Sequence, residues 1–175
     1  FDAVLVTHGH FDHIYSIPAL TEKDKDVPVY CTETPKKTLM TKGVPEERIK
    51  TVKPDDMFRI GDFTIRVHRF RHIIFDPLYI LSVVPKCVVG FPRLFWQAYM
   101  NHQMPEGGEI VAYEIEAEGK RIFLTGSFRE HPEETYPEDV DMFILANGGS
   151  VFVPEKTKDF VAKYHPKKIF VDHFD

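Results

Sequence analysis

The stretch Thr-His-Gly-His-Phe-Asp-His at residues 7–13 decides how the rest of this sequence is interpreted. It places four potential metal ligands within six positions, directly after an apolar run. Side chains at i and i+2 of an extended chain point to the same side, so His8 and His10 can bind one ion together. If the chain turns into a helix after His10, Asp12 and His13 reach a second point nearby. Imidazole suits zinc, iron, nickel or copper, and a carboxylate widens the choice towards manganese.

The alternative interpretation of this segment is a polar loop with scattered histidines, or the remnant of a purification tag. A tag would be an uninterrupted run of histidines, whereas these are spaced and follow an apolar strand. We therefore interpret the segment as metal-binding.

The composition of the whole chain is that of an ordinary globular domain. It has 175 residues, of which 43% are hydrophobic and 28% charged, which excludes disordered, collagen-like and coiled-coil classes. A net charge of −5 argues against a nucleic-acid partner, because a phosphate backbone demands a basic surface. Two cysteines fit a reducing compartment, and with no signal-peptide pattern we expect a cytoplasmic protein.

A membrane-spanning segment is not predicted. The most apolar stretch, 77–105, carries Lys86 and Arg93 and two internal prolines. Its longest uninterrupted apolar run is far shorter than the roughly 20 residues that a spanning helix needs.

Apolar runs and turn signals predict two hairpins, separate strands and outer helices. Gly61-Asp62 and 118–120 are the hairpin turns, and hairpins combined with β-α-β steps favour mixed sheets with helices outside. Strands are predicted at 1–6, 27–31, 57–60, 63–67, 110–116, 121–125, 140–146 and 168–172, and helices at 34–42 and 155–164.

This pattern resembles the metallo-β-lactamase superfamily, whose signature H-x-H-x-D-H follows a strand. The chain matches every specified position of that signature, and the resemblance extends over nearly all of it. It implies an α/β (α+β) fold, an αββα sandwich of two mixed β-sheets flanked by helices, with metals at one edge between the sheets. Family members usually have further strands before the signature, so we expect a partial domain that lacks its N-terminal strands. We expect residues 1–175 to form one domain, with an aromatic-rich insertion at about 73–107.

The resemblance also implies a set of metal ligands. The family's third histidine follows a strand, and here His68 and His72 both compete for that role after 63–67. We favour His72 because it lies past the strand end, and His68 stays open as the alternative. One or two divalent ions are implied, with zinc favoured over manganese or iron. The implied ligands are His8, His10 and His72 for the first ion and Asp12, His13 and His173 for the second.

Position 127 departs from the family pattern. The family has an aspartate there that bridges two metals, whereas this chain has Ser127 after the strand 121–125. Three explanations stay open: Glu130 supplies the carboxylate through a rearranged loop, the site binds one ion and still hydrolyses, or the protein binds ligand without turnover.

The order of elements is most similar to lactonase-like metal-dependent hydrolases. The resemblance therefore implies a hydrolase that uses metal-bound hydroxide on an ester, lactone or phosphodiester, with Asp12 as the catalytic residue that orients the nucleophile. The alternative is a degenerate, non-catalytic metal- or ligand-binding member of the fold. We expect a small-molecule substrate, with Arg69, Arg71 and Trp96 as candidate contacts. For Arg69 and Arg71, a structural role as exposed charges at the strand end stays equally open. The aromatic insertion is interpreted as a pocket wall, a homo-oligomer contact, a membrane-surface patch or plain packing.

Overall fold

The computed structural model describes residues 1–74, 76–79, 81, 95, 96, 99, 108–146, 148 and 150–172. The insertion predicted at 73–107 lies largely outside the described residues, and so does His173. The single-domain organisation stays a prediction.

Three short strands form a parallel sheet in the order β1-β2-β3. They are β1 (Val4–Leu5), β2 (Val29–Cys31) and β3 (Ile49–Thr51). The connections between them carry α1 (Phe11–Ile14), α2 (Ile17–Lys23) and α3 (Glu33–Thr41), and a 3-10 turn (Glu46–Arg48) leads into β3. Apolar side chains from the helices and strands form one core, which contains Val6, Ile14, Ile17, Val29, Cys31, Leu39, Val44 and Ile49.

Six further strands form a mixed sheet in sequence order. They are β4 (Met57–Ile60), β5 (Phe63–Phe70), β6 (Ile110–Ala117), β7 (Lys120–Thr125), β8 (Met142–Ala146) and β9 (Ile169–Asp172). The first four strands are antiparallel, and β7, β8 and β9 run parallel to one another. Glu118 and Gly119 both have positive φ between β6 and β7, as a two-residue hairpin turn requires.

Helix α4 (Val153–Tyr164) covers the outer face of the six-stranded sheet. Aromatic rings dominate this contact, because the Phe143 ring on β8 lies 5.0 Å from Phe123 and 4.9 Å from Phe160, each edge to face. Helix α4 thereby forms the fourth layer of the sandwich.

The inner faces of the two sheets pack on each other through β5 and β6. Val67 and Val111 lie in this core beside Leu5 and Tyr30 of the parallel sheet. The Tyr113 hydroxyl donates a hydrogen bond to the Val6 carbonyl at 2.7 Å. The layers are therefore helix, sheet, sheet and helix, and the predicted αββα fold is confirmed.

Several elements differ from the sequence prediction: β5 extends to Phe70, and α1 and α2 are not among the predicted helices. Strand β1 is confined to Val4–Leu5, and β3 at Ile49–Thr51 was not predicted. Only Ile49 of β3 is buried, so the strand has no apolar alternation to reveal it. Among the described residues, no helix has both the length and the apolar character needed to cross a membrane.

Candidate metal centre

Three histidines converge where the two sheets meet. His8 and His10 follow β1, and His72 follows β5, yet one ligand nitrogen of each lies within 4.8 Å of the others. The ring centres of His8 and His10 are 4.7 Å apart, and that of His72 lies 5.4 Å and 4.6 Å from them. These three residues are called the imidazole cluster below.

The cluster fits a divalent metal ion. Nitrogens bound at about 2.0–2.1 Å to tetrahedral zinc lie roughly 3.4 Å from each other. His8 Nε2 and His10 Nδ1 are 3.1 Å apart, so the two rings are already placed for a shared ion. The donors are those that zinc prefers, which supports the predicted ligands His8, His10 and His72.

Neighbouring oxygen atoms orient two of the three rings. The Thr7 hydroxyl lies 3.2 Å from His8 Nδ1, and His72 Nδ1 lies 2.8 Å from the Ile73 carbonyl. A ring nitrogen that donates to a carbonyl carries the proton, so Nε2 of His72 has the lone pair that a metal requires. In the sequence, Thr7 is distinguished only by its position directly before the first histidine of the motif.

The electrostatics of the cluster favour neutral rings. Only 1% of His8 is exposed, and burial, reinforced by His13, His10 and His72, lowers the pKa of His8 to about 2. The pKa of His10 is also lowered, mainly by burial and to a smaller extent by the neighbouring His72. Neutral imidazole is the form that binds metal, so these rings need no deprotonation at neutral pH.

Asp12 and His13 lie in α1, beside the cluster. The His13 ring is 4.0 Å from that of His8, and His13 Nε2 is 3.5 Å from Asp12 Oδ2. The Asp12 side chain is 53% exposed and so remains open to solvent. The second predicted ion thus has two candidate ligands at hand, and the third, His173, lies outside the described residues.

The segment at the altered position 127 lies against the cluster. Ser127 is 4% exposed, and its hydroxyl oxygen accepts the Ile73 N–H at 2.9 Å. Gly126 packs so closely on Thr7 that a β-carbon there would overlap its hydroxyl. The Glu130 carboxylate contacts Lys163 of α4 at 3.0 Å, and its replacement of the missing aspartate stays a prediction.

His68 occupies a different environment from the cluster. It lies inside β5, buried, with Nε2 3.0 Å from Glu114 and Nδ1 3.3 Å from Glu134. Its ring packs on the outer face, 5.4 Å from that of Phe123. Of the two histidines left open by the sequence, the structure brings His72 and not His68 to His8 and His10.

The contacts of the predicted substrate-binding residues do not involve the imidazole cluster in what the structure describes of them. Arg71 donates its backbone N–H to the Arg129 carbonyl at 2.9 Å, and the Arg69 carbonyl accepts the hydroxyl of Tyr136. Trp96 is 52% exposed, and most of its chain neighbours lie outside the described residues. The substrate contacts of all three stay predictions.

Comparison with protein families gives one extended match. The model of the Beta-lactamase superfamily domain matches residues 1–150. Two curated relatives, each named Transcription termination factor FttA, come from Methanocaldococcus jannaschii and Methanococcus maripaludis. Each is 55% identical over 40 residues, which is 23% of this chain and 6% of the relative. The alignment therefore spans only a small part of those proteins.

Solved structures with the same fold cover nearly the whole chain. Igni18, a metallo hydrolase from Ignicoccus hospitalis, is 13% identical with a TM-score of 0.60, over 99% of this chain and 64% of that one. A putative metal-dependent hydrolase from Parabacteroides distasonis is 17% identical with a TM-score of 0.65, over 99% and 66%. YhfI from Bacillus subtilis, described as a metallo-beta-lactamase fold protein, is 15% identical with a TM-score of 0.62, over 99% and 64%. At these identities the likeness shows the fold.

Proposed function

This chain belongs to the beta-lactamase superfamily, and on that premise we propose that it hydrolyses a small-molecule ester, lactone or phosphodiester. The family and the fold support a metal-dependent hydrolase in general. The observation that carries the proposal is the imidazole cluster, in which two strands distant in sequence bring three ligand nitrogens within 4.8 Å of one another.

His8, His10 and His72 would hold the ion, with Asp12 and His13 beside it. A divalent ion held there would supply Lewis-acid chemistry, by lowering the pKa of water to about 7 and polarising a carbonyl or phosphoryl oxygen. Asp12 is suited to accept a proton at its carboxylate and pass it to solvent, because its side chain is half exposed and lies 3.5 Å from His13 Nε2.

A degenerate, non-catalytic member of the fold is the second candidate. Ser127 favours it, because a hydroxyl cannot offset the charge of two divalent ions as a bridging carboxylate does. In that case the cluster would bind metal and ligand, and no substrate would turn over.

A nucleic acid is a further candidate substrate, since its backbone is made of phosphodiesters. It is favoured by the likeness to the two transcription termination factors over 40 residues. The net charge of −5 opposes it, because binding to a phosphate backbone requires a basic surface. An RNA oligonucleotide therefore belongs in the substrate panel.

The proposal is tested by metal content and hydrolysis together. Protein loaded with zinc or manganese is assayed on an aryl ester, a lactone, an aryl phosphodiester and an RNA oligonucleotide. We expect bound metal and turnover of at least one substrate in wild type, and weaker metal binding with loss of turnover in His72→Ala. His165→Asn is the matched control, because His165 ends α4 with a positive φ that asparagine tolerates. Metal without turnover would favour the non-catalytic candidate, and wild-type protein that binds no metal would overturn both.

A further inference from the structure

Ser127 makes a buried hydrogen bond next to a cluster histidine. Its hydroxyl oxygen accepts the Ile73 N–H at 2.9 Å, and the carbonyl of the same residue lies 2.8 Å from His72 Nδ1. Ile73 is thus held at both ends, by Ser127 at its N–H and by the His72 ring at its carbonyl. Since Ser127 and Ile73 are both buried, water does not readily replace the serine.

We propose that Ser127 is a positioning residue that sets the orientation of the His72 ring towards His8 and His10. The proposal rests on the proposed function, because His72 matters as a metal ligand. Ser127 acts through the backbone of Ile73. Its hydroxyl holds the Ile73 N–H, and the Ile73 carbonyl holds Nδ1 of His72. Partners of this kind determine which ring nitrogen is protonated and where the other one points.

The rest of the segment 125–127 supports this role. Thr125 on β7 contacts the Ile144 carbonyl of β8 at 3.3 Å, which ties the segment to the six-stranded sheet. Gly126 packs on Thr7, whose hydroxyl lies 3.2 Å from His8 Nδ1. One turn of the chain therefore contacts both of the segments that carry the cluster.

A serine suits this position better than a carboxylate that binds metal. The Ile73 N–H is buried and needs an acceptor, and the short Ser127 side chain supplies one. An aspartate that turned towards a metal would leave this N–H without its acceptor. Ser127 is accordingly part of a built contact.

The first test uses metal-free protein, so that it does not depend on loading. Amide exchange of Ile73 and the tautomer of His72, read from the ring nitrogen shifts by NMR at constant pH, are compared in wild type, Ser127→Ala and Ser127→Thr. Ser127→Ala should expose the Ile73 amide to exchange and mix the His72 tautomers. Ser127→Thr keeps the hydroxyl and should restore both. Unchanged exchange and tautomer in Ser127→Ala would overturn the proposal.

The second test measures metal binding by titration with cobalt(II), which reports affinity and ligand geometry through its visible spectrum. We expect Ser127→Ala to weaken binding about 10–100-fold and alter the spectrum, with rescue by Ser127→Thr. Ser150→Ala is the matched control, because Ser150 is also buried and its hydroxyl accepts a backbone N–H, from Phe152, beside α4. A wild-type affinity in Ser127→Ala would overturn the proposal. Wild-type protein that binds no cobalt would overturn the proposed function, whereas the NMR test would still decide the role of Ser127.

Discussion

His68 and His72 stand four residues apart on one segment and lie in opposite environments. His68 sits inside β5 between the carboxylates of Glu114 and Glu134, 3.0 and 3.3 Å away. His72 lies past the end of β5, with its ring 4.6 Å from His10. A histidine between carboxylates is engaged by them, whereas a histidine among other imidazoles leaves lone pairs that can converge on a cation.

The geometry of the strand explains the difference. Alternate residues of β5 face opposite sides, so His68 points to the layer of α4 with Phe70, and Val67 faces the other sheet. After Phe70 the ladder ends, and the chain is free to bring His72 to the edge where β1 also ends. The position of each histidine relative to the end of β5 therefore determines whether it lies between carboxylates or among other imidazoles.

The largest expected effect separates the two histidines by metal binding. His72→Ala removes one of three ligands, so zinc affinity should fall by more than about 100-fold, the upper range for losing only an outer contact. His68→Gln should leave zinc affinity unchanged. Competition with a chromophoric chelator measures both. Equal losses in the two variants would show that the environments are not distinct.

The second prediction concerns stability, for which we expect a larger loss in the His68 variant than in the His72 variant. His68→Ala removes the ring between the mostly buried carboxylates of Glu114 and Glu134 and leaves Glu114 with the more distant Arg121 at 3.7 Å. The free energy of unfolding should fall by about 3 kcal/mol, as for other broken buried pairs. Urea unfolding of metal-free protein measures it, with His72→Ala as the comparison. A smaller loss in His68→Ala than in His72→Ala would contradict the structural role of His68.

The smallest effect is a dependence of stability on pH. The hydrogen bond from His68, assisted by Arg121 and Arg66, holds the pKa of Glu114 below its ordinary value of 4.5 despite burial. A lowered carboxyl pKa stabilises the fold above pH 4.5, and this stabilisation is lost as the pH falls through the lowered pKa. Urea unfolding between pH 3 and 6 should show that loss in wild type and a weaker one in Glu114→Gln. Identical profiles would rule out this role for Glu114.

Features that depend on the spacing of neighbouring residues could be predicted from the sequence. The motif at 7–13 alone identified His8 and His10, and the two hairpin turns were recognisable from Gly61 and Gly119. His72 was favoured over His68 only by its place beyond the strand. These features need no knowledge of distant contacts.

Long-range contacts were beyond the sequence. The hydrogen bond of Ser127 could not be predicted, because nothing local indicates that its hydroxyl meets an N–H 54 positions away. The contact between the Glu130 carboxylate and Lys163 could not be foreseen either, because it depends on the packing of α4. Likewise, the carboxylates that flank His68 come from β6 and from the loop before β8. Each of these depends on tertiary structure that periodicity does not encode.

Whether His8, His10 and His72 bind one ion together is measured by X-ray absorption spectroscopy of protein loaded with one equivalent of zinc, which counts the imidazoles bound to the ion. We expect three histidine nitrogens at about 2.0–2.1 Å, falling to two in His72→Ala and unchanged in His68→Gln. A spectrum without histidine ligands, or one that responds to His68 and not to His72, would contradict it.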